Sequence, residues 1–221
     1  YYKIYFLYIA YAGFFHFGLV NGIYLEYGNL DYKDLPKDKI KKYFKYMLLI
    51  QFFVSIILGL LVIFFFDKSD KDKLIAWFFI IINIPLVNLK WFFSSINQFT
   101  KRFVIDSYVT IIQNIMNVIM VGLIIAFKMY NYLVVLIFTT IINLISMICV
   151  FLQNKEIIIN HSSSIGCCND IYGLIKKGFF VMLSEFVGII ILGIDSIFAE
   201  KFYTLKEFAM YSFATSIVAI I

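Results

Sequence analysis

Two carboxylates, Glu185 and Asp195, stand in an otherwise apolar stretch between Gly178 and Ala199. An ionisable group in such a stretch is expensive, and marks an ion path, a proton relay or an ion pair with a neighbouring helix. On a helix the two acids would lie ~15 Å apart along the axis and ~80° apart around it, so that both can line one side of a cavity together with Gly188. There they would bind a coupling proton or sodium ion or bias two conformations; the alternative is a structural acid at an interface or paired across to another helix. Amides and hydroxyls form a second set. Ser107, Thr110, Gln113, Asn114 and Asn117 recur at three- and four-residue steps, and Thr139, Asn143 and Ser146 repeat the device in the next apolar run. Stripes of this kind face protein or water, either as interhelical hydrogen bonds or as the lining of a hydrated cavity. His16 is a lone histidine, open to a proton-carrying role or to that of a hydrogen-bonded structural residue.

The elements that must position these residues are membrane spans. Uncharged stretches run from Ile4 to Leu25, Tyr46 to Phe66, Ser107 to Phe127 and Met129 to Asn154, each long enough for the ~20-residue helix that crosses a bilayer. Leu74 to Leu89, extending past Lys90, and Gly178 to Ala199 add two more, and a seventh run starts at Phe208 and is cut off at Ile221. The sequence therefore reads as a polytopic, all-α transmembrane bundle of about seven helices and as a piece of a longer protein. With 62% hydrophobic and only 15% charged residues, it leaves no room for a sizeable water-soluble domain. Gly18 and Gly22 make a small-residue face suited to close helix packing. Asn83, Pro85 and Asn88 interrupt the Leu74 run, where Pro85 removes one backbone donor and bends the helix.

The net charge of +5 is no nucleic-acid signal, because the cations lie in connections between spans. One alternate set of connections holds twelve of the nineteen, including Lys90, Lys101, Arg102 and the lysines from Lys33 to Lys45; the other holds seven. The positive-inside rule makes the richer set cytoplasmic. Within it, Ile40, Tyr43, Phe44 and Met47 repeat at helical spacing after Pro36, predicting a helix along the inner surface before the chain turns in. Ile96, Phe99 and Phe103 predict another, opposite Lys101 and Arg102. The longest connection, 153–177, separates a first bundle (1–152) from the start of a second (178–221). His161, Cys167 and Cys168 there are too few for a closed zinc site, Cys149 lies in a span, and no catalytic constellation or metal site is present. The sequence points to no cofactor and no enzyme.

Gly18-Leu-Val-Asn-Gly-Ile-Tyr-Leu-Glu-Tyr-Gly28 with its lysine-rich following loop, Gly178-Phe-Phe-Val-Met-Leu-Ser-Glu, Ile194-Asp195-Ser-Ile-Phe and Glu207-Phe-Ala-Met-Tyr-Ser-Phe-Ala together resemble the polysaccharide-type flippases of the multidrug/oligosaccharidyl-lipid/polysaccharide exporter superfamily. The resemblance covers nearly the whole chain. It implies two six-helix lobes, with helices two to six in 1–152, a cytoplasmic inter-lobe linker at 153–177 and helix seven with the start of eight in 178–221. It further implies a multi-pass protein of the bacterial cytoplasmic membrane that flips a polyprenyl-pyrophosphate-linked oligosaccharide by alternating access. Amide and hydroxyl stripes suit sugar hydroxyls, and Lys90, Lys101 or Arg102 suit the pyrophosphate near the inner entrance. No cation is expected deep in a span. A cation-coupled drug exporter of the same superfamily, a membrane-embedded glycan polymerase or acyltransferase, and a purely structural membrane protein are the other readings.

Overall fold

A computed structural model describes residues 1–66, 70–159 and 169–218; His161, Cys167, Cys168 and the middle of the 153–177 connection lie outside them. The described residues are all-helical: α1 (Tyr2–Ile9), a 3-10 segment (Ala12–His16), α2 (Leu19–Tyr27), α3 (Lys37–Phe65), α4 (Lys71–Phe99), α5 (Phe103–Ala126), α6 (Tyr132–Gln153), α7 (Lys155–Ile159), α8 (Asn169–Phe202) and α9 (Leu205–Val218). Five of these, α3, α4, α5, α6 and α8, are long and apolar enough to cross a membrane. Their outward faces carry Phe64, Val118 and Leu192, each more than 70% exposed. In water such faces would drive aggregation; in a bilayer the surrounding solvent is itself apolar.

The run from Ile4 to Leu25 is not the single span its composition predicts. Phe17 (φ 51°) and Gly18 (φ 79°) are both left-handed, and two such residues in succession end one helix and aim the next elsewhere. A broken helix leaves backbone groups that lipid cannot satisfy. Here protein side chains satisfy them. Gln51 Nε2 donates to the Phe15 carbonyl (2.9 Å), Asn88 Nδ2 donates to the Ala12 carbonyl (3.0 Å) and to Gln51 Oε1 (3.1 Å), and the Gly18 N–H donates to His16 Nδ1 (3.1 Å).

Neither of the two amphipathic stretches forms a separate surface helix. Residues 37–65 are one unbroken helix because the face of Ile40, Tyr43 and Met47 continues straight onto residues 89–99 of α4, with Phe44 against Phe93 (5.0 Å) and Phe92 (5.6 Å) between ring centres. At ~1.5 Å per residue this helix exceeds the ~30 Å hydrocarbon thickness, so its lysine-rich first turns stand beyond it. The other stretch is cut at residues 100–102. Left-handed Lys101 (φ 59°) lets the Arg102 N–H reach the Asn97 carbonyl (2.7 Å), closing α4 before α5 begins. Other ends are capped by side chains: Asp70 accepts from the Lys73 N–H (3.0 Å), Asn131 from the Leu133 N–H (2.9 Å), and Thr204 and Glu207 form a capping box at α9.

The described helix termini gather at two ends. One end ties Tyr1 to Asp70 (3.0 Å), Tyr132 to Asp72 (2.7 Å) and Lys73 to Glu200 (2.6 Å). The opposite end holds Arg102 stacked on Tyr32 (3.8 Å to the ring centre), Lys37 with Glu156 (3.8 Å) and Lys177 with Glu26 (2.6 Å). Between the ends, α2 crosses α8 with almost no separation. A Cβ on Gly22 would fall on the Leu174 carbonyl, and one on Gly178 would fall on the Gly18 carbonyl and the Gly22 nitrogen. The Gly18/Gly22 face thus finds a glycine opposite.

Candidate functional site

Helix α4 positions the polar interior. Asn83, Val87, Lys90, Ser94 and Gln98 follow one another at three- and four-residue steps and form one face, turned towards α5 and α6. Asp106, in the first turn of α5, accepts from Ser94 Oγ and from Gln98 Nε2 (3.1 Å). Two turns along, Lys90 Nζ donates to Gln113 Oε1, and Gln113 Nε2 donates to Asn143 Oδ1 (3.3 Å). Asn143 Nδ2 donates to Asn83 Oδ1 (2.8 Å) and to Tyr5 Oη (3.4 Å), and Asn83 Nδ2 donates to Thr140 Oγ1 (2.8 Å). The network joins α1, α4, α5 and α6 by side chains alone.

Three clefts adjoin along this face. The middle one, about 300 Å³, is lined by Lys90, Trp91, Ser94, Asp106, Gln113 and Asn143 among others. Gln113, Asn143 and Val87 are shared with a second, of about 400 Å³, which continues past Asn117 and Thr139 to Tyr2 and Tyr5. Trp91, Ser95 and Gln98 are shared with a third, of about 340 Å³, between α2, α4 and α8, which holds Asn21, Tyr24 and Glu185. The shared wall residues set the three clefts side by side along α4, a track of polar groups in an otherwise apolar lining.

The predicted residues divide around this track. Asn117, Asn143 and Glu185 line it. Lys90 does too, which corrects its placement in a connection: it lies inside α4, half-buried, where the helix continues past it to Phe99. A cation therefore stands within a span after all. Asn114 faces outward and lines none of the three clefts, because one residue along a helix turns the side chain by ~100° from Gln113. Glu185 accepts from Asn21 Nδ2 (3.0 Å), whereas Asp195 accepts from the Ser196 N–H (2.7 Å) and the Tyr211 hydroxyl, bracing α8 against α9. Among the described residues Glu185 lines the third cleft and Asp195 lines none of the three. Both are exposed: Glu185 continues the α8 face of Leu174, Gly178 and Met182 past its packed part, whereas Asp195 is turned ~100° from Gly178. His16 is 2% exposed and serves the helix break. Lys101 is exposed in its turn, and Arg102 is committed to the Tyr32 face.

Sequence reasoning passes over Trp91, Gln98 and Asp106, whose α4–α5 register only the turn at 100–102 sets. It also passes over a charged cluster at the opposite end of α4. There Glu200, its side chain 7% exposed, takes hydrogen bonds from Lys73 Nζ (2.6 Å) and Tyr8 Oη (3.1 Å) beside a pocket of about 200 Å³ that Asp70 and Tyr203 also line. Among the described residues no three His, Cys, Asp or Glu side chains gather to hold a metal ion. We find no family model, curated protein or solved structure that matches this chain.

Proposed function

We propose that the protein is a transporter of the bacterial cytoplasmic membrane that flips a polyprenyl-pyrophosphate-linked oligosaccharide, built on the two-lobe plan of the polysaccharide-type exporters. On this reading 1–152 belongs to the first lobe, 153–177 is the cytoplasmic linker and 178–221 opens the second lobe. The observation that carries the proposal is the polar track from Glu185 through Asp106, Lys90, Gln113 and Asn143 to Asn117, set in a bundle whose outer faces are apolar. A glycan head crossing a bilayer must exchange water for other partners, and an unsatisfied polar group in hydrocarbon costs roughly 2–7 kcal/mol. Amides, carboxylates and hydroxyls in series supply those partners, while an isoprenoid tail stays in lipid. Lys90 is the cation placed to attract the pyrophosphate.

The test is transfer of a polyprenyl-pyrophosphate-linked disaccharide across proteoliposomes containing the full-length protein, read by access of an external glycosidase. Transfer abolished by Lys90→Met and restored in part by Lys90→Arg is the expected outcome. Protein that moves ethidium under a sodium or proton gradient and leaves the disaccharide inside would instead be a cation-coupled exporter.

A further inference from the structure

The cleft that joins α2, α4 and α8 has an uneven chemistry. Its polar lining is rich in acceptors: the Glu185 carboxylate, the Asn21 Oδ1 atom, which is buried and has no hydrogen-bond partner, and beyond the shared wall the Asp106 carboxylate. Among the described residues no cation lies within ion-pair distance of Glu185, and the nearest lysine in the track, Lys90, is turned to Gln113. A ligand seated against Glu185 would therefore donate hydrogen bonds, with the Tyr24 hydroxyl and the Trp91 N–H as donors elsewhere in the lining. Trp91 stands in the wall common to both clefts with half of its surface open (53%). An indole face is apolar and electron-rich, suited to the C–H face of a pyranose ring, whose hydroxyls would then point at the acceptors on either side.

We infer that Trp91, with Asn21, Gln98, Asp106 and Glu185 around it, forms a saccharide subsite selective for neutral or amino sugars and closed to acidic ones. A uronate seated against Glu185 would bring a second negative charge to a carboxylate with no cation in ion-pair range, whereas an ammonium or hydroxyl satisfies it. The phosphate charge belongs on the far side, at Lys90. Substrate identity in this inference rests on the flippase reading; the subsite itself rests on the cleft.

The experiment uses full-length protein in lipid nanodiscs and saturation-transfer difference NMR with three free probes: chitotetraose, its de-N-acetylated form and tetragalacturonate. Saturation of the C–H protons of the first two and not the third is expected. Trp91→Ala should weaken chitotetraose roughly two- to tenfold, with Trp91→Phe between it and the wild type. Glu185→Gln together with Asp106→Asn should admit tetragalacturonate. Because Asp106 also ties the α4–α5 turn, Glu185→Gln alone is measured in parallel and should shift the same preference in part. Equal saturation by all three probes, no saturation by chitotetraose, or indifference to Trp91→Ala overturns the subsite. Transport of linked glucosamine and glucuronate disaccharides is followed alongside. Movement of both at one rate rejects the subsite and leaves the flippase reading intact, while Trp91-dependent binding without transport of either does the reverse.

Discussion

Replacing Gly178 by alanine tests the α2–α8 crossing, the tightest glycine contact among the described residues, against an internal control on the same helix. A Cβ at Gly178 meets the Gly18 carbonyl and the backbone of Gly22, and none of these atoms can rotate aside, so α2 and α8 must separate. Overpacking costs about 1–3 kcal/mol where side chains can adjust; against backbone the upper figure of about 3 kcal/mol applies. Alanine returns up to about 1 kcal/mol through helix propensity, leaving a net loss of about 2 kcal/mol. Gly173 and Gly188 lie on the same α8 with nothing within 4 Å of an added Cβ, so there the same substitution keeps only the gain. The two classes should therefore differ by about 3 kcal/mol, roughly a hundredfold in an equilibrium constant. Reversible unfolding in mixed micelles measures this, and the cross-linking yield of Asn21→Cys with Glu185→Cys reports whether the helices have parted locally. Gly178→Ala within about 0.5 kcal/mol of Gly188→Ala, with undiminished cross-linking, would refute the backbone-to-backbone crossing, since surface substitutions commonly fall within that range.

Three further outcomes are expected. Glu200→Ala should destabilise by about 2–3 kcal/mol, less than a fully buried pair because Lys73 keeps access to water, and Lys73→Met with Glu200→Met should recover most of the loss in a double-mutant cycle; additive losses would mean the two side chains are not coupled. In a background without native cysteines, Asn117→Cys and Asn143→Cys should react with small water-soluble thiol reagents and Asn114→Cys should react far more slowly, whereas uniform inertness in active protein would reduce the clefts to packing defects. Glu185→Gln should reach the membrane at normal levels yet fail to restore surface glycan in a deletion strain, while Asp195→Asn, which loosens the bond to Tyr211, should lose both protein level and function; normal complementation by both would remove these acids from the mechanism.

Hydropathy suffices to find α3, α5, α6 and the apolar length of α8, because a span is defined by what it lacks. The break at Phe17–Gly18 is hidden for the same reason: its partners Gln51 and Asn88 lie in other spans, and no window along residues 4–25 contains them. Gly18 and Gly22 foretell a close crossing but not its partner, Gly178, which lies far along the chain. The spacing of Gln113, Asn117 and Asn143 puts them on the faces that line the clefts, yet a stripe that also includes Asn114 covers too wide an arc for every member to face inward. Lys90 looks like the edge of a connection since charge ordinarily ends a hydrophobic run; the neighbouring Gln113 amide and the Asp106 carboxylate in the same cleft make its position inside α4 tenable. Lys73 and Glu200 meet across 127 residues, a distance no local pattern spans.

The helix break also sets an order of events during synthesis. The Phe15 carbonyl waits for a donor 36 residues downstream, and the Ala12 carbonyl for one 76 residues downstream. Until Gln51 and Asn88 have left the ribosome and entered the membrane, residues 12–18 have no dry resting place. The segment must linger near water or in the insertion machinery, and only the arrival of α4 allows it to settle. Loss of either amide would then show first as delayed or inverted insertion of residues 12–18, before any defect in the finished protein could be measured.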